Sequence, residues 1–203
     1  MDHRVSVVIP ALNEAESIAA VVREMPWPLI HECIVVDNGS TDATAAEASA
    51  AGARVVAASQ RGYGRACAAG AAAAEGDILV FMDGDGSDVS AEMDQLLRPI
   101  FAGWMAGLLL RLLYHVRYTD MGPFRAITRH ALESLHMREQ TYGWNLEMQM
   151  RAAQCGLRIR EIPVSYRKRS GGESKVAGSL TGSVRAAIRI TQTLFRVAST
   201  PKP

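Results

Sequence analysis

An Asp-Gly-Asp-Gly-Ser-Asp run at residues 83–88 follows the apolar stretch Ile78-Leu79-Val80-Phe81. A buried strand ending in Asp-x-Asp sets two carboxylates at the carboxyl edge of a sheet, where open α/β sheets take their ligands. Carboxylates so closely spaced repel one another. A divalent cation between them reverses that sign, and hard cations such as Mg²⁺ or Mn²⁺ prefer oxygen donors and bridge to phosphate. Asp and Gly are also ordinary turn residues, and taken alone the run reads more readily as a turn. What raises the metal reading is the chain upstream.

The elements that must position these carboxylates come from periodicity and breakers. The spacing predicts strands over Arg4–Pro10, Glu32–Asp37, Arg54–Ala58 and Asp77–Met82. Helices are expected over Glu14–Met25, ended by Pro26 and Pro28, over an Ala-rich stretch capped by Ser40 or Thr41, and over Gly64–Glu75. Strand and helix alternate four times in the first hundred residues, a rhythm that means βαβ units and a mostly parallel sheet with helices on both faces. A further helix is expected near Ala91–Phe101. The second half is less regular: an apolar helix over Trp104–Val116, a short strand over Phe124–Ile127, a helix over Trp144–Cys155 ended by Gly156, and a strand over Leu157–Tyr166. A basic Gly/Ser-rich loop over Arg167–Gly178 and an amphipathic helix over Thr181–Ala198 complete it.

At 203 residues, 48% of them hydrophobic, the chain can bury one sizeable core. The net charge of +1 hides a split: residues 1–100 carry 6 Lys/Arg and 15 Asp/Glu, and residues 101–203 carry 16 and 6. An acidic half suits cations and a basic half suits phosphates, nucleic acid or anionic lipid, so the combination points to a metal-bridged phosphorylated ligand. Two solvated faces are the plainer alternative. Cys33, Cys67 and Cys155 lie far apart with no CxxC, which excludes a disulfide framework and a zinc site and suits a reducing cytoplasm. The five histidines show no ligand spacing. The chain starts at once into a strand, so no signal peptide is expected, and no apolar run is long enough to span a bilayer.

Several motifs stand in order: Val5-Ser6-Val7-Val8-Ile9-Pro10-Ala11-Leu12-Asn13-Glu14, Val35-Val36-Asp37-Asn38-Gly39-Ser40-Thr41-Asp42, Gly62-Tyr63-Gly64-Arg65-Ala66, and Asp83-Gly84-Asp85. Downstream stand Thr119-Asp120-Met121-Gly122-Pro123-Phe124-Arg125, Glu147, and Arg167–Lys175 with Gly172-Glu173-Ser174-Lys175. This set resembles the family 2 glycosyltransferases of GT-A fold, above all the branch of dolichyl-phosphate or polyprenyl-phosphate sugar transferases, over most of residues 4–178. The resemblance implies a GT-A domain over 1–178, with a nucleotide- and metal-binding half at 1–100 and an acceptor half at 101–178, followed by a C-terminal helix and tail at 179–203. Pro10, Ala11, Asn13 and Glu14 would line the nucleoside pocket. Asp37 and Asn38 would contact base or ribose, Asn keeping an acceptor oxygen where many relatives carry Asp. Gly62 and Gly64 would let the backbone approach the base closely. Asp83 and Asp85, with Ser87 or a water, would hold Mg²⁺ or Mn²⁺ against the diphosphate of a UDP- or GDP-linked sugar. Arg125, Arg169 and Lys175 would face phosphates, and Ser174 would add a hydroxyl donor. One departure stands at Gly103-Trp104, where relatives carry a further strand and loop.

The implied reaction is metal-dependent inverting transfer of a sugar to a polyprenyl phosphate. A hydroxyl acceptor needs a carboxylate base, for which Glu147 is the candidate; a phosphate acceptor is already ionised, its second pKa being about 6, and Glu147 would then orient groups. An exposed helix residue is the plainer reading of Glu147, and a solvated charge run that of Arg167–Lys175. Tyr142 and Trp144 could stack on a sugar or pack in the core. The segments at 104–116 and 181–198 suit either an anionic membrane surface, which would place the protein peripherally at the cytoplasmic face, or packing within the protein or a homo-oligomer. A soluble or saccharide acceptor, and a nucleotide-sugar-binding module without turnover, are the alternatives. Nucleic acid is disfavoured by the few aromatics in the basic half.

Overall fold

The computed structural model describes residues 3–101, 122–168 and 180–200. Five strands form one sheet: β1 (Val5–Ala11), β2 (Glu32–Asp37), β3 (Arg54–Ala57), β4 (Ile78–Phe81) and β5 (Arg125–Thr128), in the order β3-β2-β1-β4-β5. All pairings are parallel except β4 with β5. Among the described residues the helices are α1 (Ile18–Arg23), α2 (Thr44–Ala50), α3 (Tyr63–Ala73), α4 (Met93–Phe101), α5 (Arg129–Ser134), α6 (Trp144–Gln154) and α7 (Leu180–Ala198). This is the three-layer α/β architecture expected from the β/α rhythm, and it fits the GT-A fold that the resemblance implies.

Alternation along β1 assigns the layers. Val5, Val7, Ile9 and Ala11 face one core with Ile18, Val21 and Val22 of α1 and Met93 and Leu97 of α4. Val8 faces the other with Ala66 and Cys67 of α3, Leu132 of α5 and Trp144 and Met148 of α6. Each such side chain contributes roughly 1.5–3 kcal/mol on full burial. The approach of α3 to the sheet requires a residue without a side chain at position 70: a Cβ on Gly70 would meet Val36 Cγ2 at 2.9 Å.

Strand order fixes the edge that matters. The chain leaves β1 toward β2 and β3, then crosses back to β4 on β1's other side, so the order reverses between β1 and β4, where a ligand crevice forms. Ala11 pairs with Asp37, Val8 with Phe81, and Phe81 with Arg125. Those registers bring the ends of β1, β2 and β4 and the start of β5 to one rim.

Four expectations change. The helix expected from Glu14 begins at Ile18, because residues 14–17 form turns and the Ser17 hydroxyl bonds the Gly84 carbonyl at 2.8 Å. Neither Ser40 nor Thr41 caps α2: Ser40 Oγ accepts the Asn13 N–H at 3.0 Å, and the Thr41 N–H goes to Asn13 Oδ1 at 2.8 Å. Leu157–Tyr166 forms no strand beyond one antiparallel bridge between Asp88 and Tyr166. Pro163 lacks a ladder donor, and Glu92 takes the Ser165 N–H at 2.6 Å and its hydroxyl at 2.8 Å. Helix α5 was not expected; Thr128 caps it by accepting the Ala131 N–H at 3.3 Å. The helix expected at 104–116 and the Gly103-Trp104 junction lie outside the described residues, as does most of the basic loop. No described helix is long and apolar enough to cross a membrane.

Candidate active site

The turn after β4 is built from its own acidic side chains. Asp85 Oδ1 accepts the Ser87 N–H at 2.9 Å, and Asp88 Oδ2 accepts the Asp83 N–H at 2.9 Å. The 165–167 segment closes it from outside, the Arg167 N–H reaching the Ser87 carbonyl at 2.8 Å. Asp85 and Asp88 are buried and Asp83 is half-buried. Burial pushes the Asp88 carboxyl up to about 6; the Asp83 N–H pulls it down, the Asp85 charge adds to the rise, and Arg125 offsets part of it. The Tyr63 hydroxyl lies 3.5 Å from Asp83 Oδ1, the outer limit of a hydrogen bond. Burial, together with the Cys67 and Asp83 charges, pushes that phenol well up, so it remains a donor.

The donor set suits a hard cation that keeps water and substrate oxygens. Mg²⁺ is bound through one or two carboxylates plus phosphate rather than by an all-protein cage. Asp83 and Asp85 supply two carboxylates, and the buried Ser87 Oγ has no hydrogen-bond partner among the described residues. No cluster of three or more His, Cys, Asp or Glu able to hold an ion occurs among the described residues.

Across the rim, Pro10 and Ala11 are buried at the end of β1. Asn38 follows β2; its N–H bonds the Ala11 carbonyl at 2.8 Å and its Oδ1 accepts the Gly62 N–H at 2.9 Å. Asp37 Oδ1 accepts the Ser40 N–H at 2.9 Å. Asn13 is exposed, with a positive φ of 51°. The Glu14 N–H donates to Thr44 Oγ1 at 2.8 Å, and its carboxylate lies 3.4 Å from the Ser17 hydroxyl. The glycines also pack closely within the protein. A Cβ on Gly64 would meet the Glu139 carbonyl at 2.5 Å, and one on Gly62, whose φ is +151°, would strike the Gln140 carbonyl. Their close approach is to the 139–140 backbone, which thus flanks this end of α3.

Arg125 stands on the same rim, its guanidinium donating to the Asn145 carbonyl at 3.3 Å and to the Gly122 carbonyl. Glu147 does not. It is fully buried on α6; Oε2 accepts the N–H of Arg138 at 2.8 Å and of Glu139 at 2.5 Å, and Oε1 pairs with Arg151 at 2.9 Å. Those bonds fit neither a base that must meet an acceptor hydroxyl nor an exposed helix residue; Glu147 holds the 138–139 backbone. Trp144 belongs to the core, its ring 6.5 Å from that of Phe81, whereas Tyr142 is exposed. Arg169, Ser174 and Lys175 lie outside the described residues. Sequence reasoning missed Asp88, Tyr63 and Glu139. Asp88 stood in the quoted run and Tyr63 between two singled-out glycines, but nothing local marks Glu139.

Comparisons with known proteins agree with this architecture. The family model described as glycosyl transferase family 2 matches residues 6–161. An uncharacterized glycosyltransferase of Mycobacterium tuberculosis is 36% identical over 208 residues, covering 91% of this chain and 94% of that protein. The undecaprenyl-phosphate mannosyltransferase of Micrococcus luteus is 27% identical over 228 residues, covering 93% of each. The crystal structure of glucosyl-3-phosphoglycerate synthase from Mycobacterium tuberculosis in complex with Mn²⁺, UDP and glucosyl-3-phosphoglycerate superposes with a TM-score of 0.77 at 26% identity, covering 98% of this chain and 81% of that one. With three quarters of its length matched by one family model and a relative similar from end to end, the chain belongs to glycosyl transferase family 2 and is a glycosyltransferase.

Proposed function

We propose that the protein transfers a sugar from a nucleotide diphosphate sugar to a polyprenyl phosphate, with Mg²⁺ or Mn²⁺ held by Asp83, Asp85 and Ser87. The observation that carries the donor side is the Asp83–Asp85 turn beside an unpartnered buried hydroxyl at the sheet's reversal point. The likeness to a synthase solved with Mn²⁺ and UDP supports it. When bound, the cation neutralises charge on the leaving diphosphate. The chain's own residues do the rest. Pro10, Ala11, Asn13, Glu14, Asp37, Asn38, Gly62 and Gly64 frame the nucleoside edge. Asp88 and Arg167 fix the turn, and Arg125 brings positive charge to the rim. Arg169, Ser174 and Lys175 complete the phosphate contacts.

The surroundings of Glu147 support the phosphate acceptor. Its carboxylate is engaged by two backbone N–H groups and Arg151, so the candidate base for a hydroxyl acceptor has another task. A phosphate acceptor, with its second pKa of about 6, needs no base near pH 7. The likeness to an undecaprenyl-phosphate mannosyltransferase along nearly the whole chain supports this reading. So does α7, whose exposed Ile188, Leu194 and Phe195 and three arginines, with no acidic residue along it, suit a membrane surface where a polyprenyl chain resides. A phosphorylated small acid is the second reading, favoured by the synthase crystallised with glucosyl-3-phosphoglycerate.

The test is calorimetric titration of UDP and GDP with Mn²⁺ and with EDTA, then transfer from the matching sugar nucleotide to undecaprenyl phosphate or to 3-phosphoglycerate. Metal-dependent binding of one nucleotide and transfer to the lipid are expected. Transfer to 3-phosphoglycerate alone selects the second reading, and metal-independent binding removes the Asp83–Asp85 assignment.

A further inference from the structure

The family match ends at residue 161, well before α7, yet α7 is tied to the nucleotide side of the molecule. The tie runs through one side chain. Glu139 is buried between α6 and α7; its Oε2 accepts the Thr193 hydroxyl at 2.9 Å and the Arg196 guanidinium at 2.8 Å. Its Oε1 accepts the Thr141 N–H at 3.0 Å and the Thr141 hydroxyl at 2.5 Å. The next residue faces the other way: the Gln140 carbonyl accepts the Arg65 N–H at 3.1 Å, and its side-chain oxygen accepts the Arg65 guanidinium at 2.6 Å. That same carbonyl is what a Cβ on Gly62 would strike, and the Gly62 N–H is bonded to Asn38. Hydrogen bonds and backbone contact therefore run without a break from α7 through Glu139 and Gln140 to the start of α3, Asn38 and the end of β1. Among the described residues this set meets the 83–88 turn only through the long 3.5 Å contact of the Tyr63 hydroxyl with Asp83; the turn itself is held by Asp88, Tyr166 and Arg167.

We infer that Glu139 is a positioning residue, through which the C-terminal helix sets the Gly62–Asn38 edge that receives the nucleoside. This rests on the nucleotide edge proposed above. Four donors converge on one buried carboxylate, and such charge-assisted bonds are about twice as strong as neutral ones. Truncating Glu139 frees residues 139–141 from α7, and the loop's hold on Gly62 and Arg65 slackens. Nucleoside contacts then weaken while the cation requirement stays.

The experiment compares the full-length chain with Glu139→Ala, Glu139→Gln and Gln154→Ala. The last removes only the Gln154 bond to the Val197 carbonyl, at 3.1 Å, and serves as a control for loosening α7 away from the loop. Amide exchange at Gly62 and Arg65 and affinity for UDP or GDP with Mn²⁺ are the readouts. Glu139→Ala should speed exchange at both amides and weaken nucleotide binding by about fivefold, a change of roughly 1 kcal/mol. Glu139→Gln, which keeps an acceptor oxygen, should recover most of both, and EDTA should act on all variants alike. Unchanged exchange in Glu139→Ala overturns the inference, whether or not nucleotide binds. So does an affinity loss that Gln154→Ala reproduces at an equal fall in thermal midpoint. A wild-type chain that binds neither nucleotide overturns the nucleotide-edge reading, and the exchange data still decide the anchor.

Discussion

Two acidic clusters, the 83–88 turn after β4 and the Glu139–Glu147 pair beneath α7, are built on opposite electrostatics. In the 83–88 turn, Asp83, Asp85 and Asp88 crowd one another, and Asp88 is pushed up to about 6 by burial with Asp85 adding to the rise. In the cluster beneath α7, burial would also raise Glu139, but the Thr141 and Thr193 hydroxyls, the Thr141 N–H and Arg196 outweigh it and hold that carboxyl below its ordinary range. Glu147 beside it is paired with the buried Arg151. A repelling cluster lowers stability and gains it back when a cation arrives; a paired cluster is complete by itself. The first arrangement suits the cation site proposed above and the second a scaffold, although both look like charged residues in the sequence.

The largest expected effect separates the two. Glu147→Ala leaves Arg151 buried without its partner and two backbone N–H groups without an acceptor, which costs about 3–5 kcal/mol. Chemical denaturation measures it. The companion is Glu147→Gln, assayed for turnover per folded molecule: a structural role predicts little change, whereas a general base would lose about 10²–10⁴-fold.

The converse is Asp85→Ala. Removing a carboxylate from the repelling cluster should leave the thermal midpoint of the cation-free protein close to wild type. Turnover should fall by about 10²–10³-fold, the range found when one electrostatic stabiliser is removed from a reacting centre. Saturating Mn²⁺ should raise the midpoint of the wild type and not that of the variant. A destabilised variant that retained turnover would assign Asp85 to the scaffold and erase the contrast.

Legibility in the sequence follows the same divide. The strands of the first half could be read closely because parallel strands buried on both faces are continuous apolar runs, as at Glu32–Asp37 and Ile78–Phe81. Asp83 and Asp85 were readable because a strand end announces a sheet edge. Glu147 was visible as a residue but not in its role, since whether a helical carboxylate faces solvent, substrate or a buried guanidinium is decided by residues 138–139 and 151 at once. Glu139 was invisible because two of its four donors, the Thr193 hydroxyl and the Arg196 guanidinium, come from α7, more than fifty residues away. Gly62 and Gly64 were singled out for an approach to the base, and the structure adds the close approach of the 139–140 backbone, a neighbour that no local pattern names.

The smallest effect is a pair of pH dependences of opposite slope, measured as unfolding free energy between pH 3 and 8 in EDTA. The folded-state value of Asp88, about 6, lies above the ordinary 3.8, so the folded protein binds more protons across that window. Stability from Asp88 is therefore present in acid and declines as pH rises toward 6. Asp88→Asn keeps an oxygen for the Asp83 N–H and removes the charge. It should be more stable than wild type at pH 7 by about 1–2 kcal/mol, less than the full linkage of 1.36 kcal/mol per unit because the turn relaxes. That gain should vanish below about pH 4. Glu139 runs the other way. Its carboxyl is depressed, so its contribution is present above the ordinary 4.5 and is lost as pH falls through the folded value. Glu139→Gln should accordingly be less stable than wild type at pH 7, and the deficit should shrink in acid. Parallel slopes for the two variants would mean that both carboxyls are held the same way, and the electrostatic contrast between the two clusters would then fall.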